Sequence, residues 1–413
     1  MKLALRNRLY AFLTLSRLLN SMGSSLYNMI FVIYAANMFQ SKLLIGIANI
    51  TMVLPTVFTV WVGVRADKTE QKSQWLIATG FIQALLFAAI ALFINEANLL
   101  VFSTVCLLNI MSDVLSDFAN GLRLPIIQKN IAQEDLIEAY SFTQFVAYIC
   151  NLAGQALGVW LLTISDNNFA MVALLNALSF LLSSLVLLFI KKDLTYEKVV
   201  HKEEKQTLRA RFGLMFDNIK LIFHQSGTTN FIQLLLAILF LNALGGSITA
   251  IYNIFLIDQH LLGLTYSQSL LLVEVILVGG ILLGSLTPHD YFSKKSLSSL
   301  VRMDALIFSL VGLFNLLHLP PLFGLFLLSF AAYLTGKVNP KINSMLLTNL
   351  PSHVLVQTSN FLFLLFTLSL PVGTAFFSLV ASWNMFATWL IFFMIALITM
   401  FLSLGKRVLL FEK

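Results

Sequence analysis

Residues 43–94 read LLIGIANITMVLPTVFTVWVGV, then RADKTEQKS, then QWLIATGFIQALLFAAIALFI. Two apolar runs therefore flank one short charged loop. A helix needs about 20 apolar residues to cross the hydrocarbon core of a bilayer, and each run reaches that length. The stretch predicts two transmembrane helices joined by a loop that lies in water.

The same pattern extends along the whole chain. Of the 413 residues, 58% are hydrophobic and 11% are charged, whereas a soluble domain averages about 25% charged residues. Apolar runs of spanning length lie at 9–37, 43–64, 74–94, 98–120, 139–164, 168–190, 229–257, 267–287, 299–318, 320–338, 354–381 and 383–405. The sequence therefore predicts an all-α integral membrane protein with twelve transmembrane helices, and the lipid bilayer is its first partner.

Basic residues alternate between the loops of this map. The N-terminus, the even-numbered loops and the C-terminus hold all but two of the 26 Lys and Arg residues. Because Lys and Arg collect in cytoplasmic loops, we expect both termini to be cytoplasmic, in a multi-pass protein of the plasma membrane. The basic residues are spread between apolar runs, so the net charge of +7 does not indicate a nucleic-acid partner.

The two halves of the chain share a spacing of Gly and Pro. Gly121, Pro125 and Gly158 recur 215 residues later as Gly336, Pro340 and Gly373. This spacing favours two parallel six-helix repeats. We expect an N-terminal bundle at 1–190, a charged cytoplasmic linker at 191–228 and a C-terminal bundle at 229–413.

The loop between the second and third runs resembles a known signature. Residues 63–72 read GVRADKTEQK, which is similar to the loop motif of the major facilitator superfamily, with Glu70 and Gln71 in place of the usual Gly and Arg. The resemblance implies the major facilitator fold. It also implies an inner gate, which we define as Gly63, Asp67, Lys68, Lys72 and Asp117.

Further stretches resemble the branch that contains macrolide-efflux-type exporters. They are Arg17-x-x-Asn20-x-x-Gly23, the segment from Leu124-Pro125 to Glu134-Asp135, and residues 154–158. The branch implies a drug:proton antiporter that exports an amphipathic small molecule. Gln155 stands where drug antiporters usually carry Pro.

Ionisable residues within the spans are costly and are candidates for function. We expect Arg17 and Asp113 to lie at similar depth and to pair, or to share water, on the inner side of the pathway, although Arg17 could instead extend to the inner interface. Asp117, one turn from Asp113, is expected to support the gate beside Asp67 and Lys68 or to bond Arg123.

Two acidic residues lie in the C-terminal half. Glu274 falls inside the eighth span and is a candidate for proton coupling, the alternative being hydrogen bonds between helices. Asp304 is expected to form an interfacial pair with Arg302 at the start of the ninth span.

Uncharged polar residues and small residues complete the candidate site. Asn20, Asn242 and Asn253 are expected to face the substrate pathway, although bonding between helices is their alternative role. The predicted points of helix bending or packing are Gly154, Gly158, Gly245, Gly246, Pro371 and Gly373.

The sequence predicts a secondary active transporter and not an enzyme. The six His residues are dispersed at loops and helix ends, and no spacing indicates a metal or a cofactor. We expect a monomer that exports an amphipathic small molecule or drug by proton antiport. The alternatives are a dedicated exporter or flippase of a peptide or lysophospholipid and, less favoured, a receptor or scaffold that does not transport.

Overall fold

The computed structural model describes Leu3 and residues 6–132, 135–196, 231–259, 261–287, 290–349 and 352–404. Most of the predicted linker therefore lies outside the described residues. Twelve spans are present in the described part. They are α1 Arg8–Phe39, α2 in two segments Lys42–Val53 and Pro55–Lys68, α3 Lys72–Phe93, α4 Leu99–Asn130, α5 Leu136–Ile164, α6 Phe169–Phe189, α7 Phe231–Phe255, α8 Tyr266–Leu286, α9 Leu297–Leu316, α10 Pro321–Asn349, α11 Ser352–Trp383 and α12 Met385–Leu402.

The predicted all-α fold is confirmed. Eleven helices in the described residues are long and apolar enough to cross a membrane. The remaining span, α1, carries polar residues such as Arg17 and Asn20 along its 32-residue length. Large apolar side chains point outward, including Leu92 and Trp383 with exposures of 85% and 84%, and lipid is the solvent that accepts such a surface.

Two helix ends differ from the prediction. The fourth and tenth runs were expected to end at 120 and 338, but α4 continues to Asn130 and α10 to Asn349. Each helix continues through an internal proline, Pro125 in α4 and Pro340 in α10. Polar residues follow the apolar run in both cases, so hydropathy alone places the helix end too early.

Side chains at the helix starts satisfy free backbone N–H groups. Asn98, Asn168, Ser296 and Asn384 accept a hydrogen bond from the first turn of α4, α6, α9 and α12. At the start of α8, Thr265 forms a reciprocal capping box. Such caps replace the hydrogen bonds that a helix cannot supply at its own N-terminus.

The chain divides into two compact units, Met1–His201 and Lys202–Lys413. In the first unit, α1 packs against α5 and α6, α3 packs against α6, and α4 packs against α2 and α3. In the second unit, α7 packs against α11 and α12, α9 packs against α12, and α10 packs against α8 and α9. Every main contact recurs six helices later, so the predicted parallel repeat is confirmed.

The glycine spacing corresponds to equivalent contacts in the two units. A Cβ on Gly121 would lie 2.8 Å from Ala66 Cβ, and a Cβ on Gly336 would lie 2.3 Å from the Ile281 carbonyl oxygen. Ile281 follows Ala66 by the same 215 residues. The repeat therefore preserves the sites where α4 approaches α2 and α10 approaches α8, since only a residue without a side chain fits there.

Candidate transport site

Arg17 and Asp113 do not form the expected ion pair. No basic nitrogen lies within 4 Å of Asp113 in the described residues; its electrostatic neighbours are Tyr27 and Asp117. Tyr27 follows Arg17 by ten residues, about 15 Å along a helix. Because α4 extends to Asn130, Asp113 lies in the middle of α4 and not near the end of the helix. The prediction that Asp113 and Arg17 lie at similar depth is wrong for this reason.

Arg123, for which the sequence suggested only a bond to Asp117, is a buried guanidinium. Its side chain is 4% exposed. Nη1 donates to Asn120 Oδ1 at 3.2 Å and Nη2 donates to Ser16 Oγ at 3.3 Å, while Nε has no partner. Ser16 and Ser183 are joined at 2.8 Å between their Oγ atoms. Arg123 therefore connects α4 to α1 and α6 through neutral groups.

The positive charges of Arg123 and the nearby Arg17 have no acidic partner within 4 Å in the described residues. Arg17 lies near enough to Arg123 for the two like charges to interact. No carboxylate lies within 4 Å of either guanidinium among the residues that the structure describes. Two neighbouring arginines with no acid within 4 Å in the described residues can hold an anionic group such as a carboxylate or phosphate.

Asp117 binds α2 and not Arg123. Thr59 Oγ1 donates to Asp117 Oδ2 at 2.7 Å. Thr59 lies two turns before Asp67, so Asp117 supports the α2–α4 contact at a distance from the charged loop.

Lys72 organises the loop of the predicted inner gate. Its side chain is 3% exposed, and Nζ donates to the carbonyl oxygens of Ala66 and Asp67 at 2.7 Å each. A cation at these carbonyls complements the end of α2. Asp67 and Lys68 are exposed, and a Cβ on Gly63 would meet no atom within 4 Å.

Glu274 is half-buried in α8 and contacts α7. Thr249 Oγ1 donates to Glu274 Oε2 at 3.2 Å. On α7, Asn242 is half-buried and Asn253 is 5% exposed. Tyr266 O–H donates to the Asn253 backbone oxygen at 2.7 Å, so this part of the candidate pathway bonds α7 to α8.

The loop after α8 forms a closed polar cluster that sequence spacing did not reveal. Lys337 Nζ lies 3.1 Å from Asp290 Oδ1, and Lys337 is 2% exposed. Tyr333 O–H donates to Asp290 Oδ2, and the Ser293 backbone N–H donates to Oδ1 at 2.8 Å. Burial by itself raises the pKa of Asp290, but hydrogen bonds from Tyr333, Ser293 and Lys337 outweigh it and hold that pKa well below its usual range.

Asp304 is not an interfacial partner of Arg302. It is fully buried, with 0% exposure, and Thr335 Oγ1 of α10 donates to its Oδ2 at 2.8 Å. No ion pair within 4 Å reaches it in the described part of the chain. A helix that begins at Leu297 places Asp304 two turns inside α9, beyond the interface.

The predicted bending points lie mostly at close contacts between helices. On α5, a Cβ on Gly154 would lie 2.8 Å from Ser25 Cβ. A Cβ on Gly158 would lie 2.7 Å from the Leu26 backbone oxygen. In the C-terminal unit, a Cβ on Gly246 would lie 2.6 Å from Leu370 Cδ2, and a Cβ on Gly373 2.3 Å from the Ala243 oxygen. Gly245 has more room, with Phe308 at 3.9 Å, and α11 continues through Pro371.

The sequence matches a family model described as Major Facilitator Superfamily over residues 13–374. No curated protein sequence matches the chain.

Solved structures share the fold at low identity. A bacterial homologue of the human lysosomal transporter Spinster, inward-facing and unoccupied, is 13% identical at a TM-score of 0.66, covering 96% of this chain and 97% of that one. The nucleoside transporter NupG is 16% identical at 0.66, covering 97% and 100%. A POT family transporter in complex with 5-aminolevulinic acid is 13% identical at 0.68, covering 96% and 95%.

Proposed function

Because the chain belongs to the major facilitator superfamily, we propose that it is a secondary active transporter that exports an amphipathic small molecule by proton antiport. It works by alternating access, as a monomer in the plasma membrane with both termini in the cytoplasm. The chain is a multi-pass membrane protein of the major facilitator transporter type. The direction of transport, the substrate class and the coupling ion are what we propose.

The observation that carries proton coupling is the environment of Asp113. This carboxyl is half-buried in the middle of a 32-residue helix. No basic side chain lies within 4 Å of it in the described residues, and Asp117 is a like-charged neighbour. A carboxylate without a counter-charge at membrane depth is costly unless it takes up a proton. Asp113 can therefore bind a proton in one state of the cycle and release it in another.

Proteoliposomes test this proposal. With ethidium as an amphipathic probe, an imposed proton gradient should drive its accumulation against a concentration gradient in the wild type. Asp113→Asn, which cannot ionise, should lower gradient-driven transport at least tenfold. Glu96→Gln removes an exposed carboxylate from the α3–α4 loop and should leave transport unchanged. Full gradient-driven transport by Asp113→Asn would reject the role of Asp113.

A second candidate function is the export of an anionic lysophospholipid or peptide. The observation that favours it is the neighbouring guanidinium groups of Arg17 and Arg123. Arg123 donates to neutral groups, and no carboxylate in the described part of the chain lies within 4 Å of either side chain. A lysophospholipid with an anionic head group should then compete with ethidium, and a zwitterionic lysophospholipid of equal chain length should compete less. Equal competition by both lipids would reject this candidate.

A further inference from the structure

Asp304 is an acid enclosed inside the C-terminal unit. Its side chain is 0% exposed. Thr335 Oγ1 donates to Oδ2 at 2.8 Å, and Oδ1 has no hydrogen-bond partner. A carboxylate has about four acceptor sites, so a single neutral donor leaves most of its charge without a partner.

The helices around Asp304 supply no counter-ion. On α9 itself, Arg302 lies two residues earlier but forms no ion pair with Asp304 within 4 Å. Besides α10, the helices that pack against α9 are α7 and α12. α7 carries one titratable group, Tyr252 at its opposite end, and α12 carries none.

The titratable groups of α10 are engaged elsewhere. They are Tyr333, Lys337 and Lys341. Tyr333 and Lys337 both bond Asp290, and Lys341 Nζ donates to the Ser293 backbone oxygen at 3.2 Å. An ionised Asp304 would therefore be a buried charge without compensation, a state that proteins avoid by protonation.

The equivalent interface of the N-terminal unit uses a neutral group. Between α3 and α4, Gln83 Nε2 donates to the Ser112 backbone oxygen at 2.9 Å and to Ser116 Oγ at 2.7 Å. An amide is thus sufficient to bridge this pair of helices. A carboxyl at the corresponding interface differs from an amide mainly in that it can bind and release a proton.

We propose that Asp304 holds a proton in this conformation and is a proton-binding site of the C-terminal unit. The proton leaves when the contact between α9 and α10 opens and water reaches the carboxyl group. Its role in transport rests on the proposed proton antiport, but its occupancy can be measured without any substrate.

Infrared difference spectroscopy of the purified full-length protein in nanodiscs tests the occupancy. At neutral pH, wild type minus Asp304→Asn should contain the C=O stretch of a protonated carboxylic acid. Thr335→Val should retain that band and move it to higher frequency, since one hydrogen bond to the carboxyl group is lost. Asp193→Asn, an exposed loop carboxylate, should leave the band unchanged. Carboxylate bands in place of the acid band would overturn the proposal.

A second measurement tests the link to the α9–α10 contact. After correction for the intrinsic, base-catalysed exchange rate, hydrogen exchange of the α10 segment around Thr335 should increase with pH in the wild type and stay constant in Asp304→Asn, which mimics the protonated acid. The same increase in both proteins would overturn the link. If the acid band is present but no proton gradient drives ethidium transport, the antiport proposal fails and the proton site stands.

Discussion

Lys337 Nζ lies 3.1 Å from Asp290 Oδ1, and 2% of the lysine side chain is exposed. The lysine also donates to the Gly284 and Thr287 backbone oxygens at 3.1 and 2.8 Å. The pair therefore ties the middle of α10 to the end of α8 and to the loop that follows it. A buried cation loses much of its stabilisation when its anion is removed.

We expect Asp290→Asn to destabilise the C-terminal unit by roughly 2 kcal/mol, because the enclosed Lys337 would lose its only acidic partner among the described residues. The thermal unfolding midpoint of the purified protein measures this effect. Asp193→Asn, which changes an exposed carboxylate in the loop after α6, serves as a matched control. An unchanged midpoint for Asp290→Asn would mean that the ion pair contributes no net stability.

The same pair predicts a pH dependence. The pKa of Asp290 is lowered in the folded protein, while an unfolded chain has an Asp pKa of about 3.9. The stabilisation is therefore complete above the unfolded pKa and is lost as the pH falls towards the lowered folded pKa. The difference in midpoint between wild type and Asp290→Asn should be constant near neutral pH and shrink in acid. A difference that grows in acid would contradict this assignment.

Gly373→Ala should impair folding. Its Cβ would lie 2.3 Å from the Ala243 backbone oxygen, and a clash with backbone costs about 1–3 kcal/mol. Gly279→Ala is the control, because no atom lies within 4 Å of its Cβ. Fluorescence size-exclusion chromatography should show a several-fold loss of monodisperse protein for Gly373→Ala alone. Equal profiles for both variants would show that α7 and α11 adjust without cost.

Arg123→Met should separate stability from function. A buried guanidinium without an acidic partner pays a desolvation cost that an apolar side chain of similar length avoids. We expect an equal or higher unfolding midpoint, together with at least a tenfold loss of competition by the anionic lysophospholipid. Lys192→Met, at an exposed position, should change neither. A sharp fall in the midpoint would show that Arg123 is structural.

Glu274→Gln tests the second carboxyl of the candidate site. If Glu274 exchanges protons, the amide should abolish ethidium transport driven by a proton gradient in proteoliposomes. Thr249→Val removes only one donor to this carboxyl and should reduce transport by a smaller factor. Retained transport by Glu274→Gln would assign Glu274 to helix contacts and leave coupling to other acids.

The sequence alone determined the membrane-spanning fold and its repeat. Each apolar run must match the thickness of the bilayer, so the run lengths define the spans without knowledge of their neighbours. Gly121 and Gly336 indicated the repeat for a similar reason, since each fills a contact where a side chain does not fit.

Only the tertiary structure decided which polar groups meet. Because α4 continues ten residues beyond its apolar run, Asp113 lies in mid-helix near Tyr27 and not at the depth of Arg17. Hydropathy does not show where a polar helix end lies. The rotation of α9 against α10 encloses Asp304 and directs it to Thr335. Lys337 reaches Asp290 because a helix and a distant loop pack together. A run of apolar residues fixes the length of a helix in a membrane, whereas helix packing sets its rotation and its partners.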